Sequence, residues 1–240
     1  MRVIICENYE EVSKEAAKII ASQVMLKPDS VLGLATGSTP VGMYKILAEQ
    51  NKAGEIDFSD VRSFNLDEYY PMMAEHNQSY RYFMNENLFN HINIKMENTH
   101  ILNGVAENPE KECEDFEKMI DAAGGIDLQV LGIGQNGHIG FNEPADFLYA
   151  NTHLTDLTEN TIQANSRFFE KIEDVPTKAL TMGIATILKS KRIIILASGE
   201  NKSAVVKDLI EGEISTQNPA SMLKVHKDVI VICDKAAYSK

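Results

Sequence analysis

The sequence predicts an α/β fold of three layers, a mostly parallel sheet with helices on both faces. Two observations lead there. Short apolar, β-branched runs recur along the 240 residues, and segments of helical periodicity fall between them. The runs are continuously apolar rather than alternating, which suits strands covered on both sides. Alternation of strand and helix builds right-handed crossovers and a parallel sheet.

The elements follow in chain order. Arg2–Cys6 reads as a strand and Glu10–Leu26 as the helix after it. Ser30–Ala35 and Pro40–Gln50 repeat the pair, and Val61–Leu66 is a third strand. Tyr80–Leu88 and Pro109–Ala123 are helical in pattern. Leu128–Ile133 and Arg192–Ala197 are further strands, Lys202–Glu211 a helix, and Val229–Cys233 the last strand. No repeat, low-complexity linker or composition shift divides the chain, so one domain over residues 1–240 is the simplest organisation.

Composition narrows the function. A net charge of −12 argues against a nucleic-acid partner, because phosphate backbones select clustered Lys and Arg. A small anionic substrate remains compatible, since a local basic pocket outweighs global charge. Cys6, Cys113 and Cys233 show no metal-ligand spacing and read as buried thiols of a reducing compartment. The N-terminus turns acidic too soon for a secretory leader, and no apolar run approaches the ~20 residues that span a bilayer. The expectation is a soluble, cytoplasmic protein without a membrane partner.

Ligands of open α/β sheets bind beyond the carboxyl ends of the strands. Four polar stretches follow predicted strands directly. Thr36-Gly37-Ser38-Thr39-Pro40 joins strand to helix, with Ser or Thr suited to the N-cap and Pro to the first turn. Free N–H groups there favour a phosphate, although the spacing is not that of a Walker A loop. Ser198-Gly199-Glu200-Asn201-Lys202 repeats the theme; Lys202 in a first helical turn would oppose the dipole and so points to a nearby anion. Asn65-Leu66-Asp67-Glu68-Tyr69-Tyr70 puts two acids at a strand end, as a general base or as a plain helix cap.

The fourth stretch is Gly132-Ile-Gly-Gln-Asn-Gly-His-Ile-Gly-Phe-Asn-Glu-Pro144. Its first glycines match a dinucleotide fingerprint, but Gly140 and Pro144 break the long helix that fingerprint needs. No acid ends a second strand about 20 residues on. Glycines that admit a small ligand, beside His138 and Glu143, fit proton transfer better.

Together these stretches resemble the glucosamine-6-phosphate deaminase (isomerase) family. The likeness runs through "LATGSTPVGMY", "FNLDEYY", "NQSYRYFM", "GIGQNGHIGFNEP", "ANSRFF" and "CDKA". It implies a modified Rossmann-like sheet, and conversion of glucosamine 6-phosphate and water to fructose 6-phosphate and ammonia. It implies Asp67 as the base between C2 and C1, His138 as the ring-opening acid/base, and Glu143 as its partner. Thr36, Gly37, Ser38, Thr39, Arg167 and Lys202 would hold the phosphate. No metal, cofactor or nucleotide is implied, and the chain would be a monomer or a homo-oligomer. The nearest alternative is a sugar-phosphate lactonase; a regulator that binds without turnover is a third.

Two departures stand out. Some members of the family carry Asp where this chain has Asn136, which leaves Glu143 as the one carboxylate for His138. The segment His153–Asp156 lacks the basic residues with which larger members bind the activator N-acetylglucosamine 6-phosphate. Hyperbolic kinetics without that activator are expected.

Overall fold

The computed structural model describes residues 1–166, 169 and 171–238. Seven parallel strands form the main sheet in the order β1-β10-β9-β6-β2-β3-β5. These are β1 (Arg2–Cys6), β2 (Val31–Leu34), β3 (Arg62–Asn65), β5 (Thr99–His100), β6 (Leu128–Gly132), β9 (Arg192–Ala197) and β10 (Val229–Asp234). Both faces of the central strands are mainly apolar, as the continuous runs require. Leu32, Leu34, Leu128, Val130, Ile194 and Ile230 pack under α1 (Tyr9–Leu26), α2 (Val41–Lys52) and α3 (Tyr80–Asn87). Their alternating neighbours, such as Val31, Leu131, Ile193 and Val231, pack under α4 (Pro109–Ala122), α6 (Ile184–Leu188) and α7 (Ser203–Glu211). Three layers follow, and the two clusters together hold the core.

A second, three-stranded antiparallel sheet was not expected. It orders β4 (Asp67–Tyr70), β8 (Lys178–Thr181) and β7 (His153–Asp156). The stretch read as a loop after the third strand is therefore itself a strand: Leu66 N–H still donates to Leu34 O at 3.0 Å, and Leu66 O accepts from Met182 N–H at 2.8 Å. Leu66 is the residue at which the chain leaves one sheet for the other. Tyr69, Met72, Phe141, Leu157 and Ala179 form a small core of their own beneath this second sheet. Two short helices complete the chain, α5 (Glu159–Asn165) and α8 (Lys235–Tyr238).

Strand order reverses between β2 and β6. From β2 the chain crosses toward β3 and β5, and from β6 toward β9. Loops that leave adjacent strands in opposite directions open a crevice at their carboxyl ends. Thr36–Pro40 follows β2 and the glycine-rich stretch follows β6, so the topology brings these two stretches to one place.

Candidate active site

The loop after β6 is shaped by its glycines at two points. A Cβ on Gly134 would lie 2.4 Å from the His138 ring, so only glycine lets the loop fold flat under that imidazole. Gly140 has φ +59°, and a Cβ there would sit 2.9 Å from Thr181 Oγ1 and 3.5 Å from Asp67 Oδ2. The loop is pinned to the second sheet as well. Phe141 N–H donates to Thr181 Oγ1 at 3.1 Å, and Asn142 Nδ2 donates to Met182 O at 2.8 Å. Hence the carboxylate of Asp67, paired across the sheet with Thr181, lies against the loop two residues beyond His138.

His138 and Glu143 meet. Nδ1 of His138 is 3.3 Å from Glu143 Oε1, at ion-pair distance but without the alignment of a good hydrogen bond. Asn136 orients both: its Nδ2 donates to Glu143 Oε2 at 2.7 Å, and its Oδ1 accepts from the His138 N–H at 3.2 Å. Thr161 Oγ1 donates to Glu143 Oε1 at 2.7 Å. Burial opposes ionisation of Glu143, but these contacts outweigh it, His138 foremost, and hold the carboxyl down at about 2.

Asp67 is the opposite case. It is 6% exposed, and among the described residues its carboxylate accepts no hydrogen bond. Burial first, and the charge of Glu68 second, push it up to about 8. Glu68 accepts the N–H groups of Tyr69 and Tyr80, each at 2.9 Å, and of Arg81 at 3.0 Å. Burial still pushes it to about 7 against those donors. Of the two neighbours, Glu68 has donors to support a negative charge, so Asp67 is the one that keeps the proton. Glu68 thus takes the helix-cap role, at the start of α3, and Asp67 is left facing the crevice.

At the far side the loop after β2 meets the loop after β9. Tyr9, Ser38, Thr39, Val41 and Ser198 line a cavity of about 380 Å³. The capping expected there needs correction. Pro40 itself is the N-cap of α2, and its own side chain makes no capping hydrogen bond. The Tyr9 hydroxyl does that work, donating to Ser38 O at 3.1 Å and accepting from Gly42 N–H at 2.9 Å. Thr36 and Gly37 (φ +93°) complete the turn, leaving the Ser38 and Thr39 hydroxyls without a capping duty.

Lys202 also differs from expectation. It ends a 3-10 turn (Glu200–Lys202) and precedes α7 rather than lying inside its first turn. Its Nζ crosses to donate to Ile133 O at 2.7 Å, and burial lowers its pKa. The cation is thereby held at the carboxyl end of β6. Arg167 lies outside the described residues.

Three supporting residues were not among the site residues expected from the sequence, although Asp234 lies in the CDKA stretch. Asp234 accepts from Ser198 Oγ and from the N–H groups of Gly199 and Ala237, fixing the loop after β9. Asn218 stands against Gly137, where a Cβ would come within 2.2 Å of its Oδ1, and Ala220 N–H donates to Gly137 O at 2.8 Å. Thr161 is the third. Each belongs to a segment distant in sequence from the loop it supports, so no local pattern could reveal it. Among the described residues no group of three His, Cys, Asp or Glu side chains gathers as metal ligands, and no helix is long and apolar enough to cross a membrane.

An open cavity between the loops after β2 and β9, with a buried acid and an ion-paired histidine at the loop after β6, is an arrangement that suits a small anionic substrate and proton transfer. The chain belongs to the family of glucosamine-6-phosphate isomerases and 6-phosphogluconolactonases, whose sequence model matches residues 7–232. It is 61% identical over 239 residues to the glucosamine-6-phosphate deaminase of Halothermothrix orenii, covering 100% of this chain and 99% of that one. A solved structure described as a monomeric glucosamine-6-phosphate deaminase superposes with a TM-score of 0.97 at 47% identity, covering 100% of this chain and 99% of the other. The 6-phosphogluconolactonase of Trypanosoma cruzi superposes with a TM-score of 0.80 at 20% identity, covering 98% and 95%; that likeness shows the fold alone.

Proposed function

We propose that this chain is a glucosamine-6-phosphate deaminase, converting glucosamine 6-phosphate and water to fructose 6-phosphate and ammonia. The observation that carries the reading is the pairing of two carboxyls with opposite environments in one crevice: Asp67 pushed up to about 8 and Glu143 held at about 2. A lactonase needs activated water and no acid that moves a proton between carbons. A buried, donor-free carboxyl beside the loop suits a group that takes a proton from C2 and returns it to C1.

The steps follow from that placement. His138 moves the O1 hydroxyl proton to the ring oxygen, which opens the sugar to its aldehyde. Glu143 stabilises the imidazolium that forms, and Asn136 holds Glu143 in place. The aldehyde makes C2–H acidic; Asp67 takes that proton, giving an enolamine, and delivers it to C1. An imine remains at C2, and water hydrolyses it, releasing ammonia and fructose 6-phosphate. Thr36, Gly37, Ser38, Thr39 and Lys202 hold the phosphate at the far end, and that remote binding aligns C1 and C2 with Asp67.

The proposed enzyme is monomeric, as the similar structure is described to be, and its reading as cytoplasmic rests on the sequence. It follows hyperbolic kinetics without an amino-sugar activator, because β7 (His153–Asp156) offers no Lys or Arg for a second phosphate. The test is incubation with glucosamine 6-phosphate, and separately with a 6-phosphogluconolactone, quantifying ammonia, fructose 6-phosphate and lactone loss. Ammonia and fructose 6-phosphate in equal amounts are expected; lactone hydrolysis without ammonia overturns the reading.

A further inference from the structure

Oε1 of Glu143 serves two partners. One approach is taken by His138 Nδ1 at 3.3 Å, the other by the Thr161 hydroxyl at 2.7 Å. Thr161 has one proton to give, and it goes to Glu143. Its oxygen in turn accepts from Thr158 Oγ1 at 3.0 Å. Thr158 is the N-cap of α5, and the same hydroxyl oxygen accepts the Thr161 N–H at 3.2 Å. The start of α5 is therefore built to aim one hydroxyl at one carboxylate oxygen.

We propose that Thr161 is a positioning residue for the acid–base pair: its hydroxyl holds Glu143 Oε1 against His138, so that the seating of α5 sets the geometry of proton transfer at the sugar ring. This rests on the deaminase reading above. Asn136 fixes only Oε2, and a carboxylate held at one oxygen can still rotate away from the imidazole. Thr161 removes that rotation. A hydrogen bond to a charged group is stronger than one between neutral groups, so its loss is felt at Glu143 even though neither Thr161 atom need touch substrate.

Thr161→Val keeps the shape and removes the hydroxyl, while Thr161→Ser keeps the hydroxyl. We expect kcat to fall roughly tenfold to a hundredfold in the valine variant, the range of one hydrogen bond to a charged group, with KM and the inhibition constant of inorganic phosphate within about twofold. The serine variant recovers most of kcat. In a Glu143→Gln background the valine change has little further effect, since its route runs through the missing carboxylate. An equal loss in both backgrounds, or a serine variant no better than valine, overturns the proposal. A substrate-free arm follows the Glu143 carboxyl by 13C NMR, assigned with Glu143→Gln. Its titration rises in Thr161→Val and returns in Thr161→Ser; an unmoved titration overturns the proposal too. Absence of ammonia from the unaltered enzyme, with the NMR shift present, would sink the deaminase reading and leave the positioning role standing.

Discussion

Replacing Asp67 by Asn separates activity from stability in a way that the burial of this carboxyl dictates. With its pKa near 8, roughly one tenth of the free enzyme has Asp67 ionised at pH 7. For a reaction that needs the carboxylate, kcat/KM then climbs about tenfold per unit from pH 6 toward 8 before levelling. Asn cannot take the C2 proton, so the variant loses roughly 100- to 10,000-fold in kcat, the range for a general base, and its profile loses that limb. KM changes little on the proposed reading, in which the loops after β2 and β9, and not Asp67, hold the phosphate.

Stability moves the other way. An unfolded Asp ionises near 3.9, whereas the folded one keeps its proton up to about 8. Between those values the native state binds the extra proton, so wild-type stability falls as pH rises. Three units of that window, at about 1.4 kcal/mol each, set an upper bound of ~4 kcal/mol at pH 7. Asn carries no charge in either state and escapes the loss. At about 2–4 °C per kcal/mol for a chain of this size, Tm of Asp67→Asn exceeds wild type by up to roughly 8–16 °C at pH 7. At pH 4 the gain vanishes. Differential scanning calorimetry at the two pH values, beside the kcat/KM profile, is the measurement. A Tm gain independent of pH, or a kcat/KM flat from 6 to 8, refutes the argument that burial holds the proton on Asp67.

Three further outcomes are expected. Asn136→Asp sets a second carboxylate where an amide now donates to Glu143 Oε2 at 2.7 Å, adding negative charge beside His138; the pH–rate limb assigned to His138 moves upward, and an unchanged profile speaks against the pairing. Lys202→Met removes a cation held against Ile133 O at 2.7 Å, so KM for the sugar phosphate and the Kd of inorganic phosphate, read by calorimetry, rise together by roughly tenfold or more while kcat falls less. Asp127→Ala acts on stability alone. Burial opposes ionisation of Asp127, but Lys191 at 2.7 Å, Lys27 at 2.5 Å and the Val31 N–H at 2.8 Å outweigh it and hold the carboxyl below its usual range. Both lysines are partly solvated, so the loss in urea unfolding is discounted to ~2 kcal/mol. That contribution is present above the unfolded pKa and lost as pH falls through the lower folded one, so the two proteins converge in acid.

The main sheet was legible because most of its strands lie between helices and are written as mainly apolar runs, although the edge strand β1 is partly exposed and β3 carries Arg62, Ser63 and Asn65. Six of its seven strands read that way; β5 has two residues, Thr99 and His100, and leaves no pattern. The antiparallel sheet was illegible for a related reason. DEYY, HLTD and KALT are short and mixed, and they become strands only because Leu66 bonds to both sheets at once. The stretches that gather at the crevice could be found, since strand ends at a topological switch collect ligands whatever the residues. The cap of α2 was misread because its hydrogen-bond partner, Tyr9, comes from another helix. Thr161, Asn218 and Asp234 were missed on the same ground: the loops they support belong to other segments of the chain, 18 residues away for Thr161 and 36 for Asp234, and local spacing carries no trace of them.

What sets the two carboxyls apart, and with it the tasks proposed for them, is the supply of donors rather than the residue type or the depth of burial. Both are withdrawn from water, and desolvation raises both. Glu143 then receives His138, Thr161 and Asn136, three partners that favour its charge; Asp67 receives none among the described residues and has Glu68 beside it. A fixed negative charge suits the partner of an imidazole that must alternate between neutral and charged forms. A carboxyl poised near neutrality suits a group that must both take and return a proton, since a strongly held proton would not be delivered to C1 and a weakly held one would not be taken from C2.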